Sequence, residues 1–162
     1  MGLVKIERWI STIMMKFVYN IEDAITPIDG RNKNKLKALT PYFSEFAFDK
    51  YRILIEVRYL QKLSEYGIVR KFTKSELVSI NRLIDTFSSN DYKRIRAIEK
   101  KTNHDLKAVE EYIKEKLNKT SLKDVSSMIH FGLTSDDTNN IAWALMIKEC
   151  IRDVIVPELE TI

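Results

Sequence analysis

The sequence is poor in helix breakers, with four glycines and three prolines in 162 residues. That scarcity argues against a fold of short strands and tight turns and favours long helices. A single cysteine, Cys150, excludes an internal disulfide framework. The only histidines are His104 and His130, and neither lies at ligand spacing from the other or from the cysteine. No metal site or cofactor is therefore expected. Glycine-rich phosphate loops and nucleophile elbows are also missing. No apolar run approaches the ~18 residues a membrane span needs, so no membrane partner is expected. The net charge of +4 comes from 27 basic and 23 acidic residues spread along the chain. Its tightest basic cluster, Lys33, Lys35 and Lys37, alternates with other residue types. A polynucleotide footprint would show a stronger stripe, so no nucleic acid partner is expected, while small anionic ligands remain compatible.

What is present is helical periodicity. Near the start, Lys5 and Arg8 precede a short apolar run broken by Ser11 and Thr12, with no small-residue cleavage site. This resembles a secretory signal only weakly, and a cytoplasmic location is expected. Leu3, Ile6, Ile10, Ile13 and Phe17 follow helical spacing, which predicts an amphipathic N-terminal extension over 1–17. The chain then reads as a helical domain over 18–123, followed by the start of a helical bundle over 124–162.

Within these segments, Thr40-Pro41 predicts a helix start. The apolar series from Tyr42 to Leu60 continues that helix to Gly67, with Asp49 or Lys50 as a point of interruption. Thr73 and Glu76 form a capping-box pattern ahead of Leu77, Ile80, Leu83, Ile84 and Phe87. Further helices carry Tyr92, Ile95 and Ile98, then Leu106, Val109, Ile113 and Leu117. A short apolar helix over Val125–Phe131 is expected to stop at Gly132. The last helix carries Ile141, Ala144, Leu145, Ile147, Ile151, Val154, Ile155 and Leu159, and Pro157 is expected to kink or end it. No cap precedes Ile162, so the helix is expected to run on. An apolar face along 141–159 should then be left exposed.

Three loop-to-helix junctions concentrate polar chemistry. Asp29-Gly30-Arg31 combines a turn with a planar guanidinium suited to phosphate or carboxylate. Thr102-Asn103-His104-Asp105 places an imidazole where helix amides favour anions. Thr134-Ser135-Asp136-Asp137 sets two hydroxyls at a helix start. Each junction also reads as a plain turn or cap, with Asn103 or Asp105 as the cap of the second. His130 reads as a packed or supporting histidine.

The same junctions carry a resemblance. TPIDGR at 26–31, FSEFAFDKYRILIEVRYLQKL at 43–63, IRAIEKKTNHDLKAVEEYIKEKL at 95–117 and IHFGLTSDDTNNIAWALMIKE at 129–149 resemble the adenylosuccinate lyases of the fumarase/aspartase superfamily. The resemblance implies an all-α fold: an N-terminal helical domain plus the first long helix of a central bundle. It implies a β-elimination that releases fumarate from adenylosuccinate to give AMP, and the same cleavage of a succinyl-carboxamide ribotide in purine nucleotide biosynthesis. It also implies a homotetramer with active sites shared between subunits. Arg31 and Asn32 would meet the nucleotide, although the family usually has tyrosine at Asn32. Asn103, His104 and Asp105 match a substrate-binding triplet, with His104 near the phosphate. Thr134 and Ser135 match the pair that holds the succinyl or fumarate carboxylate. The family's general acid and general base lie in segments outside these 162 residues, so this stretch alone is expected to be inactive. The alternative reading is a non-catalytic helical module used for association.

Overall fold

A computed structural model describes residues 24–162, so the expected helix over 1–17 lies outside the described residues. The chain divides into two compact units, Met1–Ala38 and Leu39–Ile162. In the first, residues 24–36 form successive turns. Asp29 organises them by accepting from the Thr26 amide at 2.9 Å and the Thr26 hydroxyl at 2.6 Å. The Gly30 amide then donates to the Thr26 carbonyl at 3.0 Å.

The second unit is helical throughout, with no strand among the described residues. Its helices are α1 (Thr40–Phe43), α2 (Glu45–Glu65), α3 (Lys74–Asp85), α4 (Ser89–Thr102), α5 (Asp105–Leu117), α6 (Ser135–Cys150) and α7 (Val156–Leu159). A 3-10 helix, Ser121–Met128, joins α5 to α6.

Local chemistry accounts for most boundaries. Thr40 is the first residue of α1 rather than its cap, and Leu39 precedes it without a side-chain bond. The break after α1 falls at Ser44, whose hydroxyl accepts from the Ala47 amide at 3.1 Å. Asp49 and Lys50 do not interrupt α2. Gly67 ends α2 at φ +74°, with the Ile68 amide donating to Leu63 and the Gly67 amide to Ser64. A left-handed residue there costs glycine nothing. Thr73 and Glu76 form both halves of the expected capping box. Ser88 caps α4. The segment before Gly132 is a 3-10 helix ending at Met128, and Phe131 is exposed. Pro157 neither ends the last helix nor leaves it regular. A π-helical turn, Ile151–Ile155, precedes it, where the missing proline N–H and the bulk of the ring disfavour an ordinary α turn.

The main core packs Ile53, Val57 and Leu60 of α2 against Ile80, Ile95, Leu106, Val109 and Ile113. A smaller cluster joins Tyr51 and Ile55 of α2 to Ala142 and Met146 of α6. The inward face of α6 is therefore Thr138, Ala142, Met146 and Cys150. Ile141, Ile147, Ile151, Ile155 and Leu159 form an exposed stripe, the apolar face along 141–159 that was expected to be left uncovered. Between the two clusters α2 carries Asp49, Arg52 and Glu56, spaced three and four apart and so on one helix face, all fully or almost fully buried.

Candidate functional site

The first junction lies in the first unit. Arg31 is exposed and Asn32 half-buried. The Asn32 carbonyl accepts from the Lys35 amide at 2.8 Å, and the Asn32 amide donates to Pro27 at 3.0 Å. This backbone pairing holds the turn that displays Arg31.

The other two junctions belong to the second unit. At the end of α4 the chain turns through Asn103 at φ +51°. Asparagine tolerates this left-handed conformation better than most residues. The cap of α5 is His104, not Asn103 or Asp105. Its imidazole Nδ1 accepts from the Lys107 amide at 3.2 Å. Asp105, freed from capping, accepts from a guanidinium nitrogen of Arg52. Burial alone would push the Asp105 carboxyl up. The Arg52 bond and the Leu106 amide outweigh it and hold the group below its ordinary value.

At the start of α6, Thr134 and Asp137 form a reciprocal capping box. The Thr134 amide and hydroxyl both donate to Asp137 Oδ2, at 2.7 and 2.9 Å. Those bonds keep the Asp137 carboxyl below its usual range. The single Thr134 hydroxyl proton is thus committed to its own helix. Ser135, the first residue of α6, stands where backbone amides point outward and anions are favoured.

The buried face of α2 ties these junctions together. Arg52 Nε donates to Asn139 Oδ1 at 2.9 Å, while its other nitrogens reach Asp105 and, at 3.4 Å, Asp49. The guanidinium lies 3.7 Å above the Phe48 ring, which is itself packed on Trp143. That stacking adds attraction and limits the side chain to one orientation. One turn further along, Glu56 Oε1 accepts from the Thr138 hydroxyl at 2.8 Å and lies 2.8 Å from His130 Nδ1. His130 sits at φ +64°. Among the described residues, Asn103 and His130 are the only non-glycine residues with positive φ. Left-handed backbone in such residues costs energy and gathers at ligand sites and switches.

Arg52 and Glu56 carry this arrangement, and the junction-by-junction reading missed both. The signal was a charged series, Asp49, Arg52 and Glu56, inside the apolar run Tyr51, Ile53, Ile55, Val57. Charges on a core face must find partners.

A family model described as lyase matches residues 30–162. The chain is 42% identical over 144 residues to the adenylosuccinate lyase of Legionella pneumophila strain Corby, covering 86% of this chain and 32% of that protein. It is 45% identical over 138 residues to the adenylosuccinate lyase of Buchnera aphidicola subsp. Baizongia pistaciae, covering 83% and 30%. The Escherichia coli K12 adenylosuccinate lyase is 41% identical over 138 residues, with the same coverage of 83% and 30%. The chain spans about a third of the length of these relatives. Since the match takes in both junctions of the second unit, the buried charged face behind them and most of the chain, this protein belongs to the lyase family.

Proposed function

We propose that this chain supplies the N-terminal substrate-binding part of an adenylosuccinate lyase. The reaction would be β-elimination of fumarate from adenylosuccinate to give AMP, and from the related succinyl-carboxamide ribotide. The observation that carries the reading is Arg52, one buried guanidinium bonded to both Asp105 and Asn139. It holds the start of α5 and the first turns of α6 to one point, as a single ligand contacting both would require.

In this reading Asn103, His104 and Asp105 meet the nucleotide, with His104 toward the phosphate. Ser135 and the first amides of α6 take a carboxylate of the succinyl group. Thr134 shapes that turn through its cap. Arg31 and Asn32 add nucleotide contacts. Elimination needs a base at the carbon and an acid at the leaving nitrogen. The resemblance implies that both lie outside these residues, and on this reading the 162 residues alone bind without turnover. The exposed stripe Ile141, Ile147, Ile151, Ile155 and Leu159 supports assembly into a helical bundle, with a tetramer as the expected state. We place residues from 124 onward at the start of that bundle, and the enzyme in the cytoplasm.

Grafting tests the reading. Residues 24–162 would replace the matching segment of the Escherichia coli relative, and adenylosuccinate cleavage would be followed. The chimera should cleave it, and His104→Ala or Ser135→Ala in the chimera should lower kcat/KM by about 100-fold, the scale of a lost charge-stabilising contact. A folded, assembled chimera without activity, or with activity indifferent to both substitutions, contradicts the proposal.

A further inference from the structure

The two histidines flank the junctions of this site and make opposite hydrogen bonds. His104 Nδ1 accepts a backbone amide, at 3.2 Å from the Lys107 nitrogen. A nitrogen that accepts carries no proton, so in the neutral ring the proton sits on Nε2. His130 Nδ1 instead lies 2.8 Å from Glu56 Oε1, an oxygen that already accepts from the Thr138 hydroxyl. Against such an acceptor the ring nitrogen is the donor, which leaves Nε2 bare.

Among the described residues, no group stands within hydrogen-bond reach of that second nitrogen. Glu110 Oε1 stands 4.0 Å from His130 Nε2, beyond hydrogen-bond reach. Lys107 at 2.8 Å and Lys114 at 3.5 Å both contact the other Glu110 oxygen, Oε2. The side chain of His130 is 14% exposed and that of Glu56 is fully buried. The ring is therefore held by protein rather than by water. Its backbone, at φ +64°, is fixed in a left-handed turn by its surroundings.

We propose that Glu56 is a positioning residue that locks His130 as the Nδ1–H tautomer, opposite to His104, so that the site presents one imidazole donor and one imidazole acceptor. Resting on the reading above, this assigns the His104 Nε2–H to an anionic oxygen of the ligand. His130 Nε2 then accepts an N–H or O–H of the ligand. Thr138 supports the lock by holding Glu56 Oε1 from the first turn of α6. Among the described residues, the second Glu56 oxygen is buried with no hydrogen-bond partner. The carboxylate there engages one ring nitrogen and one hydroxyl.

Nitrogen-15 spectra of the imidazoles test this without ligand and without catalysis. The uniformly labelled chain carries two histidines, so the signals separate cleanly. The spectrum would be taken near pH 8, above the ordinary imidazole value of about 6.5. His130 should show a protonated Nδ1 and a bare Nε2, and His104 the reverse. In Glu56→Leu, which removes the acceptor, His130 should drift toward the Nε2–H form that an unrestrained imidazole prefers, while His104 stays unchanged. An Nε2–H tautomer, an even mixture or two protonated nitrogens at His130 in the unsubstituted chain overturns the proposal. So does a His130 tautomer unmoved in a folded Glu56→Leu. If that variant does not fold, the spectrum of the unsubstituted chain still decides. Opposite tautomers beside an inactive chimera would remove the lyase reading and leave this assignment standing. Matching tautomers in an active chimera would do the reverse.

Discussion

Two arginine-centred networks hold the second unit together, and they are built on different terms. Arg70 joins α3 to the 3-10 helix. Its Nε donates to Asp124, and its two terminal nitrogens reach Glu76, Asp124 and the Ser121 carbonyl at 2.7–3.0 Å. Every guanidinium nitrogen has a partner, and its side chain is 39% exposed. Around Arg52 the charges are sealed in: Asp49 and Glu56 are wholly buried and Arg52 is 2% exposed. Satisfaction there is incomplete. Among the described residues, the buried side-chain polar atoms without a hydrogen-bond partner are Glu56 Oε2 and Arg96 Nε, both on groups of the α2 face or bonded to it. A lock made only for stability satisfies its polar atoms and stays near water. A buried network with spare capacity costs stability, and a functional role is one reason to keep it.

The sharpest way to break this contrast is to delete each arginine. Arg52→Ala removes the shared donor of Asp105 and Asn139 and leaves the buried Asp49 with Arg96 alone, at 2.7 Å; it should cost about 3 kcal/mol, the lower end for a broken buried pair. Arg70→Ala should cost distinctly less, because water can reach the vacated place. Urea denaturation of both variants measures the difference, and equal losses would erase the distinction.

Acid sharpens it next. Burial pushes the Asp49 carboxyl up to about 6, against the pull of Arg96 and Arg52. The folded state therefore binds this proton more tightly than the unfolded chain, whose carboxyl titrates near 4. Stability from Asp49 rises as pH falls through 6. Between pH 7 and pH 5 the unsubstituted chain should gain about 1 kcal/mol relative to Asp49→Asn. Glu76 behaves oppositely. The Arg70 guanidinium and the Thr73 amide hold its carboxyl far below the usual range. Its contribution is fully present above the unfolded value of about 4.5 and is lost as pH falls below it. Relative to Glu76→Gln, the unsubstituted chain should lose stability under acid. Thermal melts across pH 3–7 would read both slopes, and slopes of the same sign would refute the assignment.

How much of this was legible in the sequence follows from range. The capping boxes at Thr73 and Thr134, and the end of α2 at Gly67, were readable because the partners lie three to five residues apart. The cap of α5 was misassigned to residues that commonly cap. Asn103 is used instead for the left-handed turn, and that turn delivers the imidazole of His104 to the helix end. The last helix showed an apolar periodicity, but its stronger stripe faces outward. Periodicity marks a face without naming what covers it. The charges of Asp49, Arg52 and Glu56 inside an apolar run signalled a buried network, but not its partners. Asp105, His130, Thr138 and Asn139, the partners of Arg52 and Glu56, lie 53 to 87 residues away in sequence. No local rule pairs residues at that distance.

The central claim is that one buried helix face makes two distant junctions into one site. Amide hydrogen exchange on Arg52→Lys tests it most directly, since lysine keeps the charge but lacks the fork needed to reach both partners. Exchange should accelerate together at 105–107 and at 134–139, while the capping box at Thr73–Glu76 keeps its protection. Faster exchange at one junction alone, or at neither, would mean that the two are held independently and would contradict the account.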